Sequence, residues 1–176
     1  MSGHNKWSQI KVKKGKSDAI RSKIFAKYAK LITNEARAAK GNKDAPGLRG
    51  AIERARKENM PSDNIDRAIK KATEAGGASL ESILYEGYGP GGVALLVEVL
   101  TDSRNRASND LKFLFSEHGG NLASPGAAAW AFAKGPEGWT ATTTTPLEDA
   151  DIEKLEKLVE ALEGNDDVQE VITNAE

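Results

Sequence analysis

The sequence predicts an α+β protein: an N-terminal three-helix domain followed by a ferredoxin-like β-α-β-β-α-β domain. Three observations predict it. Apolar residues recur at helical spacing through the first 77 residues, interrupted by turn residues. Val/Leu-rich and β-branched runs then alternate with two amphipathic stretches. Charge divides near the same boundary: residues 1–75 carry 19 Lys+Arg against 8 Asp+Glu, and residues 76–176 carry 6 against 18, although the net charge of the whole chain is −1. The expected domains are residues 1–77, a basic arm plus three helices, and residues 78–176, an acidic α/β sandwich.

Residues 1–16 read as a basic arm in which Trp7, Ile10 and Val12 sit among Lys6, Lys11, Lys13, Lys14 and Lys16. The first helix starts at Ser17, a side chain that caps helix N-termini, with Asp18 favourable in the first turn. Ile20, Ile24, Tyr28, Leu31 and Ile32 form its apolar face, and Gly41-Asn42 ends it. A second helix follows Pro46 with Leu48, Ile52 and Ala55 inward. After the turn Asn59-Met60-Pro61, Ser62 or Asp63 caps a third, with Ile65, Ile69 and Ala72 inward, and Gly76-Gly77 closes it.

In the second half, Val93–Leu100 reads as a buried strand. Ser103 caps a helix that buries Ala107, Leu111, Leu114 and Phe115 and stops at Gly119-Gly120. Ala127–Ala133 and Thr140–Thr145 read as strands joined by a turn at 135–138. Asp149–Leu162 is an acidic helix with the stripe Ile152, Leu155, Leu158 or Val159, and Leu162, and Val168–Thr173 is the last strand. The ferredoxin-like pattern puts both helices on one face of the sheet and leaves the other for a partner.

With 39% hydrophobic and 29% charged residues, the composition is that of a globular protein. The chain has no cysteine, which excludes disulfides and thiolate metal sites and suits a reducing, cytoplasmic compartment or an organelle matrix. His4 and His118 are the only histidines, too few for an ordinary zinc site. No apolar run has the length that spans a membrane. The Lys-rich start has no Arg before Arg21 and reads as mature protein rather than a transit peptide.

A lysine-rich half beside an acidic half suggests one surface that meets a polyanion and one that avoids it; solubility alone is the blander reading. Trp7 either stacks on a base or pins the arm to the helices behind it. In Gly87-Tyr88-Gly89-Pro90-Gly91-Gly92, four glycines in six residues permit close backbone approach, with Tyr88, Gly89 and Gly91 as candidate phosphate contacts. A tight turn into the following strand accounts for them equally well. Arg104 and Arg106 open a helix, where they either clamp phosphate or pair with nearby carboxylates. Ser116-Glu117-His118 is a neighbourhood, not a triad, because adjacent helical residues point in different directions. Asp166-Asp167 raises a metal site, but an acidic pair before a strand is ordinarily a pair of solvated turn residues; no convincing catalytic constellation, cofactor motif or small-molecule site is evident.

Several segments occurring together in order are specific where each alone is not. Gly3-His4-Asn5-Lys6-Trp7, Lys23-Ile24-Phe25, Asn59-Met60-Pro61-Ser62-Asp63-Asn64-Ile65, Tyr85-Glu86-Gly87-Tyr88-Gly89-Pro90-Gly91-Gly92, Asn105-Arg106, His118-Gly119-Gly120-Asn121 and Asp166-Asp167-Val168-Gln169 resemble the YebC/PmpR family. The resemblance runs from Ser2 to about Phe132 and from about Thr144 to Glu176. It implies a cytoplasmic, non-enzymatic regulator of gene expression. Bacterial members are described as probable DNA-binding transcriptional regulators, a mitochondrial relative as a translational activator, and some members as ribosome-associated factors. Typical members carry an extra subdomain between the strands matching Ala127–Ala133 and Thr140–Thr145. Here a short turn replaces it, so this is a short form of the family pattern.

The residues and the resemblance together predict a nucleic-acid-binding regulator. Its phosphate contacts come from Lys6, Lys11, Lys13, Lys14, Lys16, Arg21 and Lys23, with Trp7, Tyr88, Gly89, Gly91, Arg104 and Arg106 adding to them. The ligand is ribosomal RNA, with the ribosome as partner, or duplex DNA. The absence of an evident Asn/Gln/Arg base-reading code suits RNA recognised by shape. The alternatives are a protein-interaction module whose basic half docks an acidic partner, and a hydrolase using His4 or His118.

Overall fold

The structure is a computed structural model that describes Trp7 and residues 17–74, 77, 79–136 and 138–176. Lys6, Ile10, Lys11, Val12, Lys13, Lys14 and Lys16 lie outside the described residues, as do His4 and Gly76. The chain divides into two compact units, one ending at Leu80, the other comprising Glu81–Glu176 together with Trp7.

The first unit is three helices, α1 (Asp18–Ala38), α2 (Pro46–Lys57) and α3 (Ser62–Lys71). Ser17 caps α1 as expected, its Oγ accepting from the Ile20 amide at 3.3 Å. Pro46 occupies the first turn of α2, where its missing N–H costs nothing. The cap of α3 differs from expectation: Pro61 is the N-cap and no side chain caps the helix. The left-handed φ of +63° at Asn59 turns the chain between α2 and α3. Ile32, Ala36, Leu48, Ala51, Ile52, Ala55, Ile65 and Ala68 form the core, joined by Met60 from the turn. The Thr33 hydroxyl donates to the Ala68 carbonyl at 2.9 Å, tying α1 to α3.

The second unit contains β1 (Glu81–Tyr88), β2 (Ala94–Thr101), α4 (Arg104–Glu117), β3 (Asn121–Ala123), β4 (Phe132–Gly135), β5 (Gly138–Ala141), α5 (Asp149–Glu163) and β6 (Val168–Thr173). The α+β class with leading helices stands, and the main sheet has four strands in the order β3-β1-β2-β6, every neighbouring pair antiparallel. Its strand assignments differ from the expected ones: the order is β-β-α-β-β-β-α-β instead of β-α-β-β-α-β, no strand was expected at β3, and β5 covers Gly138–Ala141 instead of Thr140–Thr145. β1 is a full strand where the sequence suggested only a glycine loop, because Glu81, Ser82 and Glu86 obscure its alternation. The segment expected as a strand at 127–133 instead turns through a single 3-10 helix at Ala129–Ala131 before β4, which pairs with β5 as a separate ribbon. Alanines favour such a turn over a pleated strand.

Leu95, Val97 and Val99 of β2 face α4 and α5, packing with Leu111, Phe115, Leu155, Leu158 and Leu162. Ala94 and Leu96 face the opposite side and pack with Ala128, Ala131, Phe132 and Ile172. The sheet face expected to await a partner is therefore covered in part by the chain's own ribbon and turn. This double burial is why β2 reads as a continuous apolar run. No helix among the described residues is long and apolar enough to cross a membrane.

Candidate nucleic-acid interface

The three-helix unit concentrates cations. Arg21 and Lys23 are exposed on the first turns of α1; Arg56, Arg67, Lys70 and Lys71 are exposed on α2 and α3. Their apolar neighbours at i+3 and i+4 spacing fill the core, which leaves the charged positions facing water.

Between α1 and α3 lies a groove of about 630 Å³. Phe25, Ala26 and Ala29 of α1 and Met60 and Ala68 from the α3 side give it an apolar floor. Lys30, Arg37, Arg67 and Lys71 line it with positive charge, and Thr33, Asn34 and Asn64 add polar groups. The α1 positions 26, 30, 33, 34 and 37 recur at helical spacing, as do the positions 60, 64, 67, 68 and 71 on the other wall, so each helix contributes one face. The Asn34 Oδ1 accepts from the Leu80 amide at 3.2 Å, which orients its side chain. Sequence reading missed this groove, because neither face alone shows that the other lies opposite it.

The other candidate residues are engaged differently from the nucleic-acid reading. Trp7 is 8% exposed and packs in the core of the sheet unit with Val93, Leu95 and Leu155 among others, so its ring is not presented to a base. This is the pinning alternative, with the sheet unit as the anchor in place of the helices. The glycine segment is the β1–β2 hairpin connection. Gly89 is buried and its amide donates to the Val93 carbonyl at 2.9 Å, while the Gly92 amide donates to the Gly89 carbonyl at 3.1 Å. Gly91, at φ +74°, supplies the turn. These are contacts of a tight turn rather than of a phosphate cradle. The Tyr88 hydroxyl donates to the Ala127 carbonyl and accepts from the Trp130 indole at 2.9 Å, so it too has an internal role.

Arg104 pairs with Glu81. Arg106 pairs with Asp102 at 2.6 Å and with Asp167 at 2.9 Å, and its guanidinium also reaches the Thr101 hydroxyl at 3.3 Å. The hydrogen bond to Glu81 and its charge raise the Arg104 pKa, and the hydrogen bonds to Asp167 and Asp102 raise that of Arg106. Both arginines are held by carboxylates and do not form an open phosphate clamp. Asp167, expected as a solvated turn residue, is 7% exposed and anchors this network.

Sequence reading also missed Glu86. It is 6% exposed. Its carboxylate accepts from the amides of Gly126 at 2.6 Å, Ala128 at 2.9 Å and Ala129 at 2.6 Å. Burial pushes the Glu86 pKa up, but these three donors together outweigh it and hold the carboxyl below its ordinary range. The turn so fixed carries Trp130, whose indole N–H also donates to the Ala127 carbonyl at 2.9 Å and whose side chain is 61% exposed on a segment expected to be a strand.

Comparison with known proteins places this geometry in a family. Residues 5–75 match the TACO1/YebC protein N-terminal domain, and residues 80–136 and 137–175 match the TACO1/YebC second and third domain. The two pieces of the second match meet between β4 and β5, the position of the expected short turn. A probable transcriptional regulatory protein of Desulfosudis oleivorans is 48% identical over 180 residues, covering 100% of this chain and 72% of that protein. One from Desulforapulum autotrophicum is 56% identical over 136 residues, covering 76% of this chain and 55% of its own length. The chain thus spans about half the length of several curated relatives it matches. The crystal structure of a conserved hypothetical protein from Aquifex aeolicus superposes with a TM-score of 0.75 at 32% identity, over 90% of this chain and 91% of that one. With matched domains extending from residue 5 to residue 175, the chain belongs to the TACO1/YebC family.

Proposed function

We propose that this chain is a non-enzymatic regulator of gene expression, acting in the cytoplasm, that binds nucleic acid through the phosphate backbone. The observation that carries the reading is the set of exposed cations on the three-helix unit, Arg21, Lys23, Arg56, Arg67, Lys70 and Lys71, on a segment with 15 Lys+Arg against 8 Asp+Glu between residues 15 and 80. Such a surface attracts a polyanion and releases its counterions. The relatives named as probable transcriptional regulatory proteins support the regulatory part of the reading. Under this proposal residues 1–77 make the contacts, the lysines of the arm contribute to them, and the acidic 78–176 domain disfavours nonspecific wrapping by repelling phosphate.

The ligand is structured ribosomal RNA or duplex DNA, and sedimentation with ribosomes separates the two. The full-length chain is run on density gradients with ribosomes at rising salt, with excess duplex DNA as competitor. Stoichiometric binding that DNA does not displace assigns a ribosomal partner and a role in translation. Tight binding to the DNA with no ribosome association assigns a transcriptional one. Binding to neither, together with nuclease-resistant retention of an acidic protein, overturns the proposal in favour of a protein-interaction module.

A further inference from the structure

The groove between α1 and α3 combines three properties. Its apolar floor is formed by Phe25, Ala26, Ala29, Met60 and Ala68, and Leu80 also lines it. Its walls carry four cations, and no Asp or Glu is among the described residues that line it. Asn34 and Asn64 sit between those cations and carry both donors and acceptors.

We propose that this groove receives unstacked nucleotides of a single strand, with bases against the apolar floor and phosphates on the cationic walls. The inference rests on the nucleic-acid reading of the three-helix unit and gives that reading a substrate class. The small side chains of Ala26, Ala29 and Ala68 leave room for a planar ring beside Phe25 and Met60. A duplex keeps its bases paired and stacked and cannot lay a ring face on this floor; a single strand can. The cations supply the backbone term, and the Asn64 amide and the Asn34 Nδ2, whose Oδ1 is held by the Leu80 amide, carry groups that hydrogen-bond base edges. The volume of about 630 Å³ lies within the range of small-ligand pockets. From Phe25 to Arg37 the α1 wall extends about 18 Å at the helical rise, longer than one nucleotide.

The test uses the full-length chain and two probes. One is a 12-nucleotide RNA with a central 2-aminopurine; the other is the same strand annealed to its complement. The single strand is expected to bind with a change in 2-aminopurine fluorescence that marks the base leaving its stack. Ala26→Phe places a ring over the floor from an exposed position and is expected to weaken single-strand binding about tenfold, the scale of one lost stacking contact, while duplex affinity stays unchanged. The Arg67→Gln/Lys71→Gln pair is expected to lower single-strand affinity and to reduce the log–log salt slope by about 1.4, two phosphate contacts on a single strand. If circular dichroism shows that Ala26→Phe has lost its helices, the charge pair decides. Unchanged single-strand binding in the charge pair, an equal loss on both probes with Ala26→Phe, or no fluorescence change overturns the groove assignment while leaving nucleic-acid binding intact. Failure of the unmodified chain to bind the single strand overturns the groove assignment, and failure to bind either probe or ribosomes overturns the nucleic-acid reading itself.

Discussion

The Arg106 guanidinium donates to both carboxylate oxygens of Asp167, at 3.2 and 2.9 Å, joining the first turn of α4 to the turn before β6. The Thr101 hydroxyl donates to the same carboxylate at 3.0 Å. Arg106→Gln removes the positive partner of a buried charge, and a buried carboxylate without its cation is costly. The variant is expected to unfold at lower urea than the parent at neutral pH while binding oligonucleotides with unchanged affinity. A loss of affinity with unchanged stability would return Arg106 to the phosphate-contacting set.

Glu86 satisfies three amides of the 126–129 turn from within β1, so Glu86→Ala leaves buried donors without an acceptor. The expected cost is about 3 kcal/mol, read from urea midpoints at pH 7. The pH dependence has a definite sign. The folded-state pKa is depressed, so the unfolded chain takes up the proton first on acidification. The contribution is fully present above the ordinary carboxylate range and disappears as pH falls through the folded-state value. The stability gap between the parent and Glu86→Gln should accordingly narrow in acid. A gap that is constant down to the acid limb would contradict the assigned role.

Trp7 belongs to the same buried cluster as Leu95 and Leu155. Trp7→Ala is expected to destabilise the chain by about 3 kcal/mol, as large-to-small changes of buried aromatics do. A stable Trp7→Ala variant with weakened nucleic-acid binding would restore the base-stacking reading.

Gly91 adopts a left-handed backbone, and a Cβ there would also meet the Leu147 side chain. Gly91→Ala is expected to cost about 1–2 kcal/mol in thermal or urea unfolding, the penalty of an L-residue in that region. Its oligonucleotide affinity should not change, because the hairpin's backbone bonds at Gly89 and Gly92 are internal. A selective loss of binding would show that the loop does approach phosphate.

Much of the fold was legible because its signals are local. The stripe Ile152, Leu155, Leu158 and Leu162 is buried as its spacing required, and Ser17 and Ser103 cap the helices that follow them. Less of the candidate site was legible. Arg21 and Lys23 are exposed on the helix where they were expected, and they remain candidates. Arg104 and Arg106 carry the same residue types as a phosphate clamp, and only their surroundings, Glu81, Asp102 and Asp167, distinguish the two uses.

By itself the sequence determined the three leading helices, the buried character of β2, the two amphipathic helices of the second half and the division of charge between the halves. Each is written in neighbours a few residues apart, where backbone propensity and helical or strand period act directly. Tertiary structure alone decided that β1 lies between β2 and β3, that residues 127–131 turn instead of extending, that Trp7 is buried, and that faces of α1 and α3 enclose one groove. The turn depends on a carboxylate 40 to 43 residues away in the chain, and the Arg106 pairing on one 61 residues away. Distance along the chain carries no record of such contacts; they form because folding brings a buried charge to donors that satisfy it.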